Sequence, residues 1–136
     1  MQTILIAAGD PHRGDAAVSH RVLELLGAQP NIQTHDVARL SSALARDIAP
    51  ADEVVFIGAA QELGDVWVEP APLGSDRDPT DPRGLVALSH ALFQFQGKAY
   101  VCHVPGLDFT EGAPITGYAE ARARQAVEIL RRFLAA

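Results

Sequence analysis

Three short apolar runs, Thr3 to Ala8, Val54 to Ile57 and Ala99 to Val104, alternate along this chain with amphipathic stretches of helical period. A short continuous apolar run suits a strand covered on both faces, as in a parallel sheet. Alternating strands and helices imply parallel pairing through right-handed crossovers. The pattern predicts an α/β fold with three αβα layers: a mostly parallel five-stranded sheet with helices on both faces.

The remaining elements follow from local signals. Val18, Val22, Leu25 and Leu26 form one helical stripe, which Gly27 can close. Asn31 to Val37 reads as a second strand. Leu40, Leu44 and Ile48 mark a short helix ended by Pro50. Asp65 to Glu69 turns Val66 and Val68 one way and its other residues the opposite way, a pattern expected at a sheet edge. Pro70 to Pro82 holds four prolines and is the one long loop. Asp81 followed by Pro82 is a helix start, with Leu85, Leu88 and Leu92 as its expected buried stripe. Thr116 is placed to cap a last helix that turns Val127, Leu130, Phe133 and Leu134 inward.

Composition sets outer bounds. At 136 residues the natural count is a single domain, 1–136, and a 48% apolar content supports a core without staples. The net charge is -6, and the basic residues are scattered except for Arg122, Arg124, Arg131 and Arg132. Those four sit at helical spacing and read as a solvated helix face. A nucleic-acid partner, which requires a basic face, is not expected. Cys102 is the single cysteine, so no internal disulfide forms. No apolar run approaches the ~20 residues that span a bilayer, so no membrane partner is expected. Short N-terminal hydrophobicity without a basic flank gives a cytoplasmic expectation.

In sheets of this kind, loops at the carboxyl ends of the strands build the site. Here these are Gly9–Asp15, Gly58–Gly64 and Pro105–Ile115. They contain or adjoin Asp10, His12, Asp15, Glu62, His103 and Asp108. Bland roles suit most of them: His12 as a solvated loop residue, His103 as a packed, hydrogen-bonded strand residue, Asp15 as a helix cap. Cys102 reads as a small core residue and His90 as a surface or boundary residue. The first loop lacks both the dinucleotide glycine pattern and the phosphate-loop Gly-Lys-Ser/Thr.

An apolar strand followed by Gly9-Asp10-Pro11-His12-Arg13-Gly14-Asp15 and an amphipathic helix resembles the opening signature of the hydrogenase maturation endopeptidases. The stretches Asp52 to Ala59, Asp81 to Leu88, and Val104 to Phe109 through Gly112 are similar to later segments of that family, in the same order. The resemblance implies a metal-dependent endopeptidase that trims the C-terminal peptide of a nickel–iron hydrogenase large subunit. It also implies three metal ligands from three loops. Placed on this sequence, the family's first acid is Asp15, but the liganding second acid falls on Ala16. The strand-ending acid falls on Gly58, and the histidine on Asp78. Ala16 and Gly58 offer no lone pairs, which leaves Asp78 as the one metal-capable position. The expectation is therefore a family-like protein with an impaired metal site and no catalytic residue assigned. It has a binding cleft of Asp10, His12, Asp15, Asp78, His103 and Asp108, no tightly bound cofactor, and nickel arriving through a substrate. The expected partner is a hydrogenase large subunit or related peptide tail. Two rivals stand beside this reading: an active endopeptidase, and a repurposed small-molecule binder or hydrolase using the same cleft.

Overall fold

The computed structural model describes residues 1–74 and 76–135; Ser75, within the Pro70–Pro82 loop, and Ala136 lie outside the described residues. Five strands form one sheet: β1 (Thr3–Ala8), β2 (Ile32–Val37), β3 (Glu53–Ala60), β4 (Trp67–Pro70) and β5 (Lys98–Pro105). Their order is β2-β1-β3-β5-β4. The first four in that order run parallel, and β4 closes the edge antiparallel to β5. Four helices cover the sheet: α1 (Val18–Leu26), α2 (Leu44–Ile48), α3 (Pro82–Phe93) and α4 (Gly117–Ala135). This is the expected αβα architecture. No helix among the described residues is long and apolar enough to cross a membrane.

Strand alternation sorts the core into two layers. Ile4, Ile6, Val54 and Phe56 point to one face and pack with Leu44, Ile48, Leu85 and Val86 of α2 and α3. Leu5, Val55, Ile57 and Cys102 point to the other and pack with Val22, Leu26, Ala123 and Leu130 of α1 and α4. The sheet is covered on both sides, which is why its central strands are apolar at successive positions.

Helix ends follow the capping chemistry. The Asp81 carboxylate accepts from the Arg83 N–H with Pro82 in the first turn. The Thr116 hydroxyl accepts from the Ala119 N–H at 3.1 Å, capping α4. The Arg122, Arg124 and Arg131 side chains pair with Asp65, Glu120 and Glu128 respectively, as a charged helix face would.

β4 spans Trp67–Pro70 rather than Asp65–Glu69, and two larger features differ from the sequence-based expectation. First, β3 does not end at Ile57. It continues to Ala60 because β5 beside it also continues, pairing Gly58 with His103 and Ala60 with Pro105. Gly58 is thus a strand residue, not a loop residue. Second, the buried face of α3 is rotated from the leucine stripe. Leu85 is fully buried and Leu88 partly so, but Leu92 is 58% exposed. Ser89 occupies the inward position instead, its hydroxyl donating to the Ala45 carbonyl at 2.6 Å. A buried serine satisfied by a neighbouring helix is invisible to a hydrophobic-period argument.

This assignment separates two leucines on one helix. Leu85→Ala should cost about 2–5 kcal/mol, whereas Leu92→Ala should change stability by less than about 0.5 kcal/mol. Urea unfolding of both variants beside the parent checks this; equal losses would place the α3 face wrongly.

Candidate functional site

The carboxyl ends of β1, β3 and β5 meet at one end of the sheet, and the start of α4 ties their loops together. The central tie is Asp15. It is fully buried, and its carboxylate accepts from Leu107 N–H at 2.7 Å, Asp108 N–H at 3.0 Å and Thr116 N–H at 2.8 Å. The Thr116 hydroxyl lies 2.8 Å from the same carboxylate. The Asp15 N–H itself donates to the Asp108 carbonyl at 2.8 Å. Gly14, at φ +55, lies so close that a Cβ there would sit 2.2 Å from that carbonyl oxygen. Only glycine suits both the dihedral and the approach.

Burial pushes the Asp15 pKa up, but the donors from Asp108, Leu107 and Thr116 together outweigh it and hold the carboxyl below its ordinary value. The helix-cap expectation for Asp15 is corrected in kind. It does not cap the helix that follows it, since α1 has no side-chain cap. Instead it holds Thr116, the residue that caps α4, and so pins the last loop onto the first.

The other loops are tied to the same helix. Tyr118 Oη accepts from the Gly64 N–H at 2.7 Å and donates to the Gly64 carbonyl at 3.0 Å. Gln125 Oε1 accepts from the Val66 N–H at 3.1 Å. On the β1 side, the Ser19 hydroxyl donates to the Ala8 carbonyl at 3.1 Å. The His20 ring joins Asp36 to the Gly9 carbonyl, the latter at 2.7 Å.

The expected cleft residues fall into three groups. Asp10, His12, Asp15 and Asp108 belong to the zipped first and last loops. Asp10 accepts from the His12 N–H at 2.9 Å, and the His12 carbonyl accepts from Gly112 at 2.7 Å. His12 is exposed, as expected of a solvated loop residue. Asp108 is tied to Thr110, whose hydroxyl and N–H lower its pKa. Asp15 does not line an open cleft, because it is buried.

Asp78 forms the second group. It is exposed and bound to the Thr80 hydroxyl at 2.7 Å and N–H at 3.0 Å. The Thr80 donors hold its pKa below the ordinary value. Its backbone presses on α3 at Gly84, where a Cβ would lie 2.1 Å from the Asp78 carbonyl oxygen. A shallow pocket of about 170 Å³ there is lined by Gly74, Asp76, Asp78, Asp81, Arg83 and Gly84.

His103 forms the third group, on the α3-facing side of the sheet, beside Gly58. Its ring stacks on Trp67 with centroids 4.5 Å apart, and its Nε2 lies 3.0 Å from Glu69 Oε1. The sequence reading placed His103 as a hydrogen-bonded strand residue, and the bonds are present, although it is only half-buried. It missed Trp67 and Glu69 as His103's partners. The signal was available: inward Val66 and Val68 leave Trp67 and Glu69 on the opposite face.

Among the described residues no group of three or more His, Cys, Asp or Glu side chains could hold a metal ion. Ala16 and Gly58 supply no donor, so the residues present do not fit a tightly held metal at the positions named by the resemblance. Cys102 is fully buried, and burial pushes its thiol up to about 12, so it is no nucleophile. A groove of about 490 Å³ lined by Leu73, Val86, Phe95 and Tyr100 lies at the opposite, amino end of β5, away from these loops.

The structure is an open α/β domain whose first and last loops are fastened to each other at the carboxyl ends of β1 and β5. Comparison with solved structures makes the class more particular: the fold is that of the nickel–iron hydrogenase maturation proteases. The maturating endopeptidase HybD from E. coli superposes with a TM-score of 0.77 at 18% identity, covering 99% of this chain and 93% of that one. The [NiFe] hydrogenase maturation protease HycI from Thermococcus kodakarensis gives 0.76 at 17% identity, with the same coverage of 99% and 93%. The hydrogenase 2 maturation peptidase from Thaumarchaeota archaeon SCGC_AB-539-E09 gives 0.72 at 13% identity, covering 98% of each chain. No protein-family model and no curated protein matches the sequence. At these identities the likeness establishes the fold.

The Asp15 tie makes a pH-dependent prediction. Asp15→Asn replaces an acceptor by an amide that faces N–H donors. Two donors left unmet at ~1–3 kcal/mol each give a loss of roughly 2–6 kcal/mol at neutral pH. Because the folded pKa is depressed, the parent's advantage is present above the unfolded carboxylate pKa of about 3.9 and is lost as pH falls through the folded value. Denaturant unfolding of both proteins at pH 7 and at successively lower pH should show the gap closing only on the acid side. A gap independent of pH would contradict the assignment.

Proposed function

We propose that this chain is a hydrogenase maturation protease-like protein that recognises a hydrogenase large subunit, or a related peptide tail, without holding a catalytic metal tightly itself. The observation that carries the reading is the pairing of a retained fold with emptied ligand positions. The first and last loops are fastened by Asp15 and Thr116, yet Ala16 and Gly58 present a methyl group and a hydrogen where the resemblance calls for carboxylates. Docking needs shape and loop geometry, whereas coordination needs lone pairs; only the second has been removed. In this reading nickel comes with the partner, and the protein's own residues position the tail.

The test is direct. Nickel-loaded large-subunit precursors encoded in the same genome are incubated with the protein, complex formation is followed by size-exclusion chromatography, and the precursor's C-terminus by mass spectrometry. Co-elution with an intact tail is the expected result. Shortening of the tail would favour the active-endopeptidase reading, and failure to bind any precursor would overturn the proposal.

A second outcome concerns the empty positions. A Cβ on Gly58 would meet nothing within 4 Å, so a side chain can start there without a clash. The parent should show only weak affinity for nickel, zinc or cadmium by calorimetry. The double variant Ala16→Glu/Gly58→Asp should bind nickel more tightly. Added nickel should then raise its melting temperature more than the parent's, because binding to the folded state alone stabilises it. Without metal, repulsion between the new carboxylates should lower its stability. Equal nickel responses in the two proteins would refute the placement of these positions around one cleft.

A further inference from the structure

The sheet has two edges, and they are built differently. At the β4 edge the Ala71 N–H donates to the Ala99 carbonyl at 2.8 Å, in register with the Glu69–Val101 pair of the antiparallel ladder. Alternation therefore turns the main-chain groups of Val68 and Pro70 outward. Proline has no N–H, and the Val66 N–H just before the strand is taken by Gln125. Val68 is left with the outward donor of a strand only four residues long. Proline, shortness and a covering side chain are means by which natural sheets close an edge.

The other edge is β2, a strand of six residues with no proline and no lysine. The Thr3 N–H donates to the Asn31 carbonyl and the Gly9 N–H to the Val37 carbonyl. The odd-numbered residues of β2 thus turn their main-chain groups to β1, and Ile32, Thr34 and Asp36 turn theirs to the free edge. The Ile32 N–H is drawn back to the Gln29 carbonyl at 3.4 Å. The edge therefore presents the N–H and carbonyl of Thr34, the N–H and carbonyl of Asp36, and the carbonyl of Ile32. Gln33, Thr34 and Asp36 are exposed.

We infer that the β2 edge pairs antiparallel with β2 of a second copy of this chain, about a two-fold axis through Thr34, joining the two five-stranded sheets into one. An axis perpendicular to the sheet sets each residue opposite one of the same parity, so the outward groups of one copy meet those of the other. The two Thr34 residues exchange N–H···O bonds, and each Asp36 N–H meets the other copy's Ile32 carbonyl. Side chains match as well: Thr34 faces Thr34, a favourable cross-strand pair, and Gln33 faces His35. Asp36, the strand's one carboxylate, is held on its own copy by His20 and faces Ile32. The two Asp36 residues then lie about 14 Å apart, beyond the screening length at physiological salt. A pairing centred on Asp36 would oppose two carboxylates, and one centred on His35 two imidazoles. The strand meets itself about Thr34 without a like-charge contact, which is the ground for naming a second copy as the occupant. The inference is independent of the proposed hydrogenase partner.

The test uses the untagged protein. Sedimentation velocity from micromolar to millimolar concentration should show the average mass rising toward that of a dimer. By NMR, the Thr34 and Asp36 amides should exchange with deuterium more slowly as concentration rises, and those of Gln33 and His35, already bonded to β1, should change less. Thr34→Pro should weaken association at least about tenfold, because it removes both donors of the central pair. Its N–H faces outward, so the pairing with β1 survives. Should that variant fail to fold by circular dichroism, a charge pair decides. Thr34→Lys and Thr34→Glu should each weaken self-association severalfold, and their equimolar mixture should associate more tightly than either alone, since residue 34 meets itself only across the two-fold axis. A mass that stays that of one chain at millimolar concentration, a dimer untouched by a folded Thr34→Pro, or a mixture no tighter than its components would each overturn the inference. So would edge amides protected only when a large-subunit precursor is added, which would assign the edge to that partner.

Discussion

One buried carboxylate organises the working end of this molecule. Asp15 reaches across 92 residues to Leu107 and 101 residues to Thr116, and it takes up donors that would otherwise be unpaired in the interior. Burying a charge is unfavourable unless it is fully hydrogen-bonded. Here several donors converge on two oxygens, so the same group that is costly alone becomes a specific clasp. Everything at that end depends on it. The last loop is placed against the first, Thr116 is held where it can cap α4, and α4 in turn carries the Tyr118 and Gln125 side chains that steady the loop between β3 and β4.

The arrangement also gives the first-loop acid a meaning different from a metal ligand. Of the acids named by the resemblance, the retained one is the one that cannot reach solvent. The positions that the resemblance gives to metal ligands fall on Ala16 and Gly58, which carry no donor atom. A shared fold leaves activity to be argued from the site.

Much of the architecture was legible in the sequence. Thr3–Ala8, the α3 start at Asp81-Pro82 and the Thr116 cap are each local signals, and the structure contains each of them. The edge character of β4 was readable from its alternation. What was not legible depended on partners distant in sequence. The end of β3 is set by the length of β5, the buried face of α3 by a serine bonded to α2, and the role of Asp15 by backbone donors in a loop near the other end of the chain. For the site, the sequence named His103 but not its partners Trp67 and Glu69. These reach it through antiparallel pairing, and no spacing along the chain announces that.

The position of β5 in the sheet has a consequence for how the chain is made. It lies between β3 and β4 in space but follows both in the sequence. A polypeptide emerging from its amino end thus presents four strands before the one that joins them. Until the segment from Lys98 onward appears, β3 has one bare edge along Val54 to Ile57, and β4 has no neighbour. An unpaired apolar strand edge is a template for association with other chains. During synthesis the nascent chain carries its greatest aggregation hazard at the centre of the future sheet. The arrival of β5 removes that hazard and, in the same pairing event, sets His103 beside Gly58.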